Sequence, residues 1–273
     1  MPPIALALWI LAAASTQDKP APEKRVTLEV KASTWRERKT PFDVAEDFTA
    51  KLRRAKVQVV PQGEKADGRL SVRLEETSGK SYKSTTGDEE VVATDIECRL
   101  ELLIGDNPKP ALAWTVEARP GSFVQGDLYA DAVSQFKGHP EIEYAGAHVA
   151  VLLGVKDAAA PLVAALLDAR VQEHTVEFLD QAGYAPAGAL EKIHFMIARH
   201  QFDECAKAGA EAVAPLLAFL QGAQDFAKEE TVRALGRIGD PRAVPVLLST
   251  LSGVHDTIED VLAKALFDAL AAI

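Results

Sequence analysis

The stretch TVRALGRIGDPRAVPVLLSTL, Thr231 to Leu251, decides the fold of the second half of the chain. Gly239 closes one helix, because glycine is the residue that most easily takes the left-handed turn past a helix end. Asp240 then caps the next helix, whose first turn tolerates proline because its N–H groups have no partner there anyway. The stretch therefore spells helix, tight turn, helix, which is one half of a stacked hairpin.

The same pattern occurs elsewhere in the chain. AAAPLVAAL (Ala158 to Leu166) matches AVAPLLAFL (Ala212 to Leu220), and AVPVLLSTL (Ala243 to Leu251) repeats both with its proline one place earlier. The second helices align as well, TVEFLDQAG (Thr175 to Gly183) against TVRALGRIG (Thr231 to Gly239), and Ala212 and Ala243 are 31 residues apart. A period of that length is one helical hairpin, and hairpins that repeat bury a continuous core by stacking. Between the first two units lies GYAPAGALEKIHFMIARHQFDECAKAG (Gly183 to Gly209), read as an inserted extra hairpin with a largely apolar helix through Leu190, Ile193 and Ile197. The last helix, Thr257 to Leu270, lacks the Val-Arg pair and is read as a degenerate cap.

These units resemble HEAT repeats of the type named after phycobilisome lyases, whose hallmark runs roughly VRxxAxxALGxIGDPRAVPxLxxxL. The resemblance implies an all-α solenoid whose second helices line a concave surface that binds another protein. It also implies that Arg233 and Asp240 tie turns together. Some relatives with such repeats attach or remove tetrapyrrole chromophores, so an accessory enzyme subunit of a chromophore-lyase-like kind is the alternative reading.

Upstream the apolar period switches to two. Val26, Leu28 and Val30 predict a half-buried strand; Thr40-Pro41 predicts the start of a helix with Val44, Phe48 and Leu52 on one face. VQVVP (Val57 to Pro61), Leu70 to Leu74, Val91 to Ile104 and Leu112 to Val116 supply further strands, with a loop expected at Ser78-Gly79 and Thr86-Gly87 and a turn at Gly105 to Pro108. The fold class is thus an α+β domain, β-α-β plus an antiparallel meander, over residues 25–140, followed by all-α HEAT-like repeats over 141–273. A helix from about Glu141 to Leu153 is placed either over the sheet or at the start of the solenoid. The element order is similar to accessory domains of exported bacterial proteins.

Residues 1–15 carry an uncharged apolar run, Ile4 to Ala14, with Ala12 and Ala14 before Ser15. This is the middle and cleavage region of a secretory signal, too short to span a bilayer comfortably. Residues 16–24 form a polar, proline-containing linker. The expected location is therefore periplasmic or extracellular, with no stable membrane insertion after cleavage. The net charge is −10, and from Gly146 onward ten Lys and Arg face seventeen Asp and Glu. That balance disfavours nucleic acid and anionic lipid, leaving basic or apolar protein surfaces as partners. Cys98 and Cys205 both read as buried core thiols.

No enzyme constellation emerges. The six histidines lack metal spacing, and Glu191 with His194 is too small a set to hold a metal. Ser122 and Ser134 lack a nucleophile elbow, and no phosphate-binding loop occurs. Asp88-Glu89-Glu90 reads as a solvated hairpin tip and Glu229-Glu230 as a solvated helix start. The expectation is a non-catalytic scaffold or adaptor without cofactor or metal. From helical position, Arg170, Glu173, Glu177, Glu230 and Arg237 are its candidate partner-binding residues.

Overall fold

The computed structural model describes residues 23–37, 41–83, 90–119, 128–223, 225–253 and 260–273. The leader-like segment, most of the linker, Thr40, Thr86-Gly87, Asp88-Glu89, Ser122, His255 and Thr257 lie outside them. A mixed five-stranded sheet with helices is followed by a helix-rich region, α+β and then all-α.

The first half runs β1 (Lys24–Ser33), α1 (Val44–Arg54), β2 (Val57–Val60), β3 (Gly68–Lys83), β4 (Glu90–Ile104) and β5 (Leu112–Ala118). The sheet order is β2-β1-β3-β4-β5, with β1 parallel to both β2 and β3 and the rest antiparallel. Side chains of β3 alternate, Leu70, Val72 and Leu74 inward and Arg69, Arg73 and Glu75 outward. The sheet therefore has one packed and one polar face.

Two local expectations need correction. α1 begins at Val44, not at Thr40-Pro41, because the Asp43 carboxylate accepts the Glu46 N–H at 2.9 Å and supplies a charged cap. Its predicted stripe is intact, with Val44, Phe48 and Leu52 all buried. β3 does not stop at Ser78-Gly79 but passes through it with a register shift between Ser78 and Ser81. A Cβ on Gly79 would come within 2.4 Å of the Asp95 carboxylate on the partner strand, a side-chain end that could turn aside.

The second half comprises α2 (Leu128–Gly138), α3 (Pro140–Glu143), α4 (Ala145–Leu152), α5 (Ala160–Ala165), α6 (Gln172–Gln181), α7 (Ala189–Ala198), α8 (Phe202–Ala208), α9 (Val213–Gly222), α10 (Asp225–Ile238), α11 (Val244–Ser252) and α12 (Asp260–Ala272). The single helix expected over Glu141 to Leu153 is broken at Tyr144 into α3 and α4. α4 lies against α1 so closely that a Cβ on Gly146 would fall 2.3 Å from the Lys51 carbonyl oxygen. That contact answers the open question: α4 belongs to the layer covering the sheet.

The stretch read as an inserted extra hairpin is a helical hairpin, α7 and α8, and it stacks in series with its neighbours. α7 packs between α5 and α9, and α8 packs against α10, so both fill the places a regular hairpin would. Ile193, Ile197, Phe202 and Cys205 are its buried face. Hydrophobic packing forms two clusters. One joins the sheet, α1 and the helices from α2 to α6, ending on Phe195 and Ala198 of α7; the other takes Ile193 and Ile197 of the same helix and runs through α12. α7 thus serves both cores from opposite faces. α11 and α12 expose Leu248, Val261 and Phe267, each more than half accessible.

Candidate functional site

Second helices α8, α10 and α12 lie side by side and enclose a groove of about 420 Å³. Its walls carry Asp203 from α8, Glu230, Arg233 and Arg237 from α10, and Asp268 from α12. The spacing of Glu230, Arg233 and Arg237, three and then four residues apart, puts them on one face of α10. The floor is small: Gly236, Ala265, Ala269 and Ala272. Gly236 touches Ala269 directly, which brings the two helix backbones together and leaves the space above them open.

Most charges in this groove are neutralised locally. Arg237 donates to Asp203 across the α10–α8 contact at 2.5 Å. Arg233 pairs with Glu229 one turn back, and Lys264 with Asp268 one turn on. Glu230 is half-buried and has no ion pair or hydrogen bond among the described residues.

The turn between α10 and α11 follows the chemistry expected of it. Gly239 has φ of 67° and ends α10. The Asp240 carboxylate accepts the Arg242 N–H at 2.9 Å, capping the short turn Pro241–Ala243 that leads into α11. The Arg242 guanidinium grips the same carboxylate and reaches the Ala210 carbonyl at 2.8 Å in the preceding turn. This bidentate grip holds the Asp240 carboxyl down at about 2. Residues 227–253 match the PBS lyase HEAT-like repeat. The match covers most of α10, the turn and α11, so the Glu230 to Arg237 wall of the groove lies within a HEAT-like repeat. No curated protein and no solved structure gave a significant match to the chain.

One role implied by the resemblance moves to another residue. Asp240 does tie the turn, but its partner in doing so is Arg242, which bridges to the previous turn; Arg233 faces the groove and pairs within its own helix. The physical reason is position: Arg233 lies within α10 and pairs with Glu229, whereas Arg242 sits in the turn itself.

The five candidate residues from the sequence fall in different places. Glu230 and Arg237 share the groove. Arg170 precedes α6 and is fully engaged with Asp168, at 2.6 Å and 3.1 Å. Glu173 and Glu177 are exposed on α6, the latter bonded to Gln181. Glu177 also lines a smaller depression of about 220 Å³ beside β5, with Trp114, His174 and Phe178. Beneath it His148 is completely buried against those three rings, and neither of its ring nitrogens has a hydrogen-bond partner among the described residues. Burial, and secondarily the neighbouring His174, pushes its pKa from 6.5 down to about 3. Glu191 and His194 do not form a pair: Glu191 takes the Tyr184 hydroxyl and the Ala187 N–H, and His194 meets the Val163 carbonyl.

Sequence reasoning missed Asp203 and Asp268. Asp203 carries no repeat signal, because its hairpin lacks the Gly-Asp-Pro turn that marks the repeat phase. Asp268 has a usable signal, since Ala265, Ala269 and Ala272 recur at helical spacing around it and mark a face on which another helix closely approaches.

Proposed function

We propose that this protein is an exported, non-catalytic scaffold that binds another protein through the second helices of its HEAT-like repeats. The observation that carries the proposal is the groove between α8, α10 and α12, with a floor of small side chains that admits a partner close to the helix backbones. HEAT-like stacks offer extended surfaces of this kind. The acidic balance of the chain favours a partner with a basic or apolar surface over nucleic acid.

A binding role without catalysis is supported by how the reactive groups are held. Burial pushes the Cys98 thiol up to about 12 and the Cys205 thiol to about 11, so neither is a ready nucleophile. The groove's guanidinium groups are tied into ion pairs. No described helix is long and apolar enough to cross a membrane. Export rests on the signal-like residues 1–15, and a reporter fused after residue 20 tests it: a reporter that stays in the cytoplasm overturns that part.

Binding is tested in the full chain, because the first core runs from the sheet into α7 and a cut at the start of the repeats would sever it. Ala272 is an exposed residue lining the groove, so Ala272→Trp fills the groove without entering the core. Thr115→Trp, on the exposed polar face of the sheet, is its control. The partner co-purifying with wild type is expected to be lost with Ala272→Trp and kept with Thr115→Trp; the reverse pattern moves the binding site to the sheet.

A further inference from the structure

Resting on that scaffold reading, we infer that the groove receives a single basic side chain, lysine or arginine, from the partner protein, seated against Glu230. Five charged side chains line the groove, three acidic and two basic. Arg237 is matched by Asp203, Arg233 by Glu229 and Asp268 by Lys264. Glu230 alone of the five has no partner among the described residues, although it is half-buried and has therefore given up part of its hydration. Arg233, one turn along α10, points back to Glu229 instead.

A carboxylate in that situation is stabilised by an incoming cation, most of all by a guanidinium that can bond both oxygens. The floor suits the rest of such a side chain. Gly236, Ala265 and Ala269 put up no side chain long enough to reach Glu230, and their methyl and backbone surface accepts an aliphatic stem. An anionic guest is disfavoured because both arginines are already engaged and the lining keeps one net negative charge. A bare divalent cation is disfavoured as well, since it requires several oxygen ligands and only one carboxylate is free.

The experiment is a two-dimensional amide NMR titration of the full chain. The probes are a short blocked alanine peptide with one central arginine, the same peptide with lysine, and the same peptide with citrulline, the uncharged isostere of arginine. The expected result is saturable movement of the Glu230, Gly236 and Ala269 signals with arginine and lysine, and a response to citrulline weaker by about two- to fivefold, the scale of one partly exposed ion pair. Glu230→Gln is expected to erase the difference between arginine and citrulline while leaving the thermal midpoint unchanged. An equal response to citrulline, movement confined to other parts of the protein, or an undiminished response in Glu230→Gln overturns the inference. The scaffold reading is scored separately: a partner captured equally by wild type and Glu230→Gln, yet lost with Ala272→Trp, keeps the scaffold and overturns the role of Glu230.

Discussion

Gly236 of α10 lies against Ala269 of α12 with no room for a side chain: a Cβ on residue 236 would meet both the Cα and the Cβ of Ala269 at 2.8 Å. Replacing a mid-helix glycine by alanine ordinarily gains about 1 kcal/mol. Here overpacking at a helix–helix contact costs about 1–3 kcal/mol and reverses the sign. Gly236→Ala is therefore expected to lower the melting temperature, measured by circular dichroism. Gly222→Ala, at the end of α9 with nothing near its Cβ position, is expected to leave it unchanged or raise it.

The same reasoning gives a stronger effect at Gly146. Its Cβ would meet the carbonyl group of Lys51 at 2.3 Å, and backbone cannot rotate away as a side chain can. Gly146→Ala is expected to cost more than Gly236→Ala and to act on the first core, where α4 meets α1. Urea unfolding of both variants, compared at equal protein concentration, tests the ranking. A Gly146→Ala protein as stable as wild type contradicts the α1–α4 packing.

His148 makes stability depend on pH. The fold holds its imidazole neutral, with a pKa near 3, while the unfolded chain titrates it near 6.5. Above 6.5 both states are neutral and the full stability is present. As pH falls from 6.5 towards 3 the unfolded state binds the proton first, and stability is lost with a slope of at most about 1.4 kcal/mol per pH unit from this group. His174 and Glu141 face the same cluster. His148→Phe keeps the aromatic packing and removes the proton site, so its urea midpoint is expected to fall less between pH 7 and pH 5 than that of wild type. Parallel curves for the two proteins contradict the assignment.

How far these features could be read from the sequence depended on whether one residue or several encode them. The hairpin around Gly239 and Asp240 is local, and its turn residues and their spacing appear in the structure as expected. The α7–α8 hairpin is legible as a hairpin, but its place in series with the others is not, because its turn lacks the Gly-Asp-Pro signature, although its buried face, Ile193, Ile197, Phe202 and Cys205, does the same packing. The register shift between Ser78 and Ser81 arises in pairing with the next strand, which no local pattern reveals. The groove shows the same division: Glu230 and Arg237 were legible from helical position, but the Asp203 that pairs with Arg237 is 34 residues away on another hairpin.

Arg242 offers a test of how neighbouring repeats are held together. Its guanidinium bonds Asp240 in its own turn and the Ala210 carbonyl in the preceding one. Arg242→Lys keeps the charge but cannot make both contacts with one planar group. Faster amide hydrogen exchange is expected at the start of α11 and in the turn before α9, with the sheet unaffected. Unchanged exchange in those two turns contradicts the bridge.

Site-specific photo-crosslinking in intact cells tests the central claim, binding through the second helices, most directly. A photoreactive residue is placed at Asp268 in the groove or at Thr115 on the open sheet face, each in the full chain. The account predicts a discrete protein adduct from position 268, reduced by Glu230→Lys, and none from position 115. An adduct from position 115 with none from position 268 would contradict it.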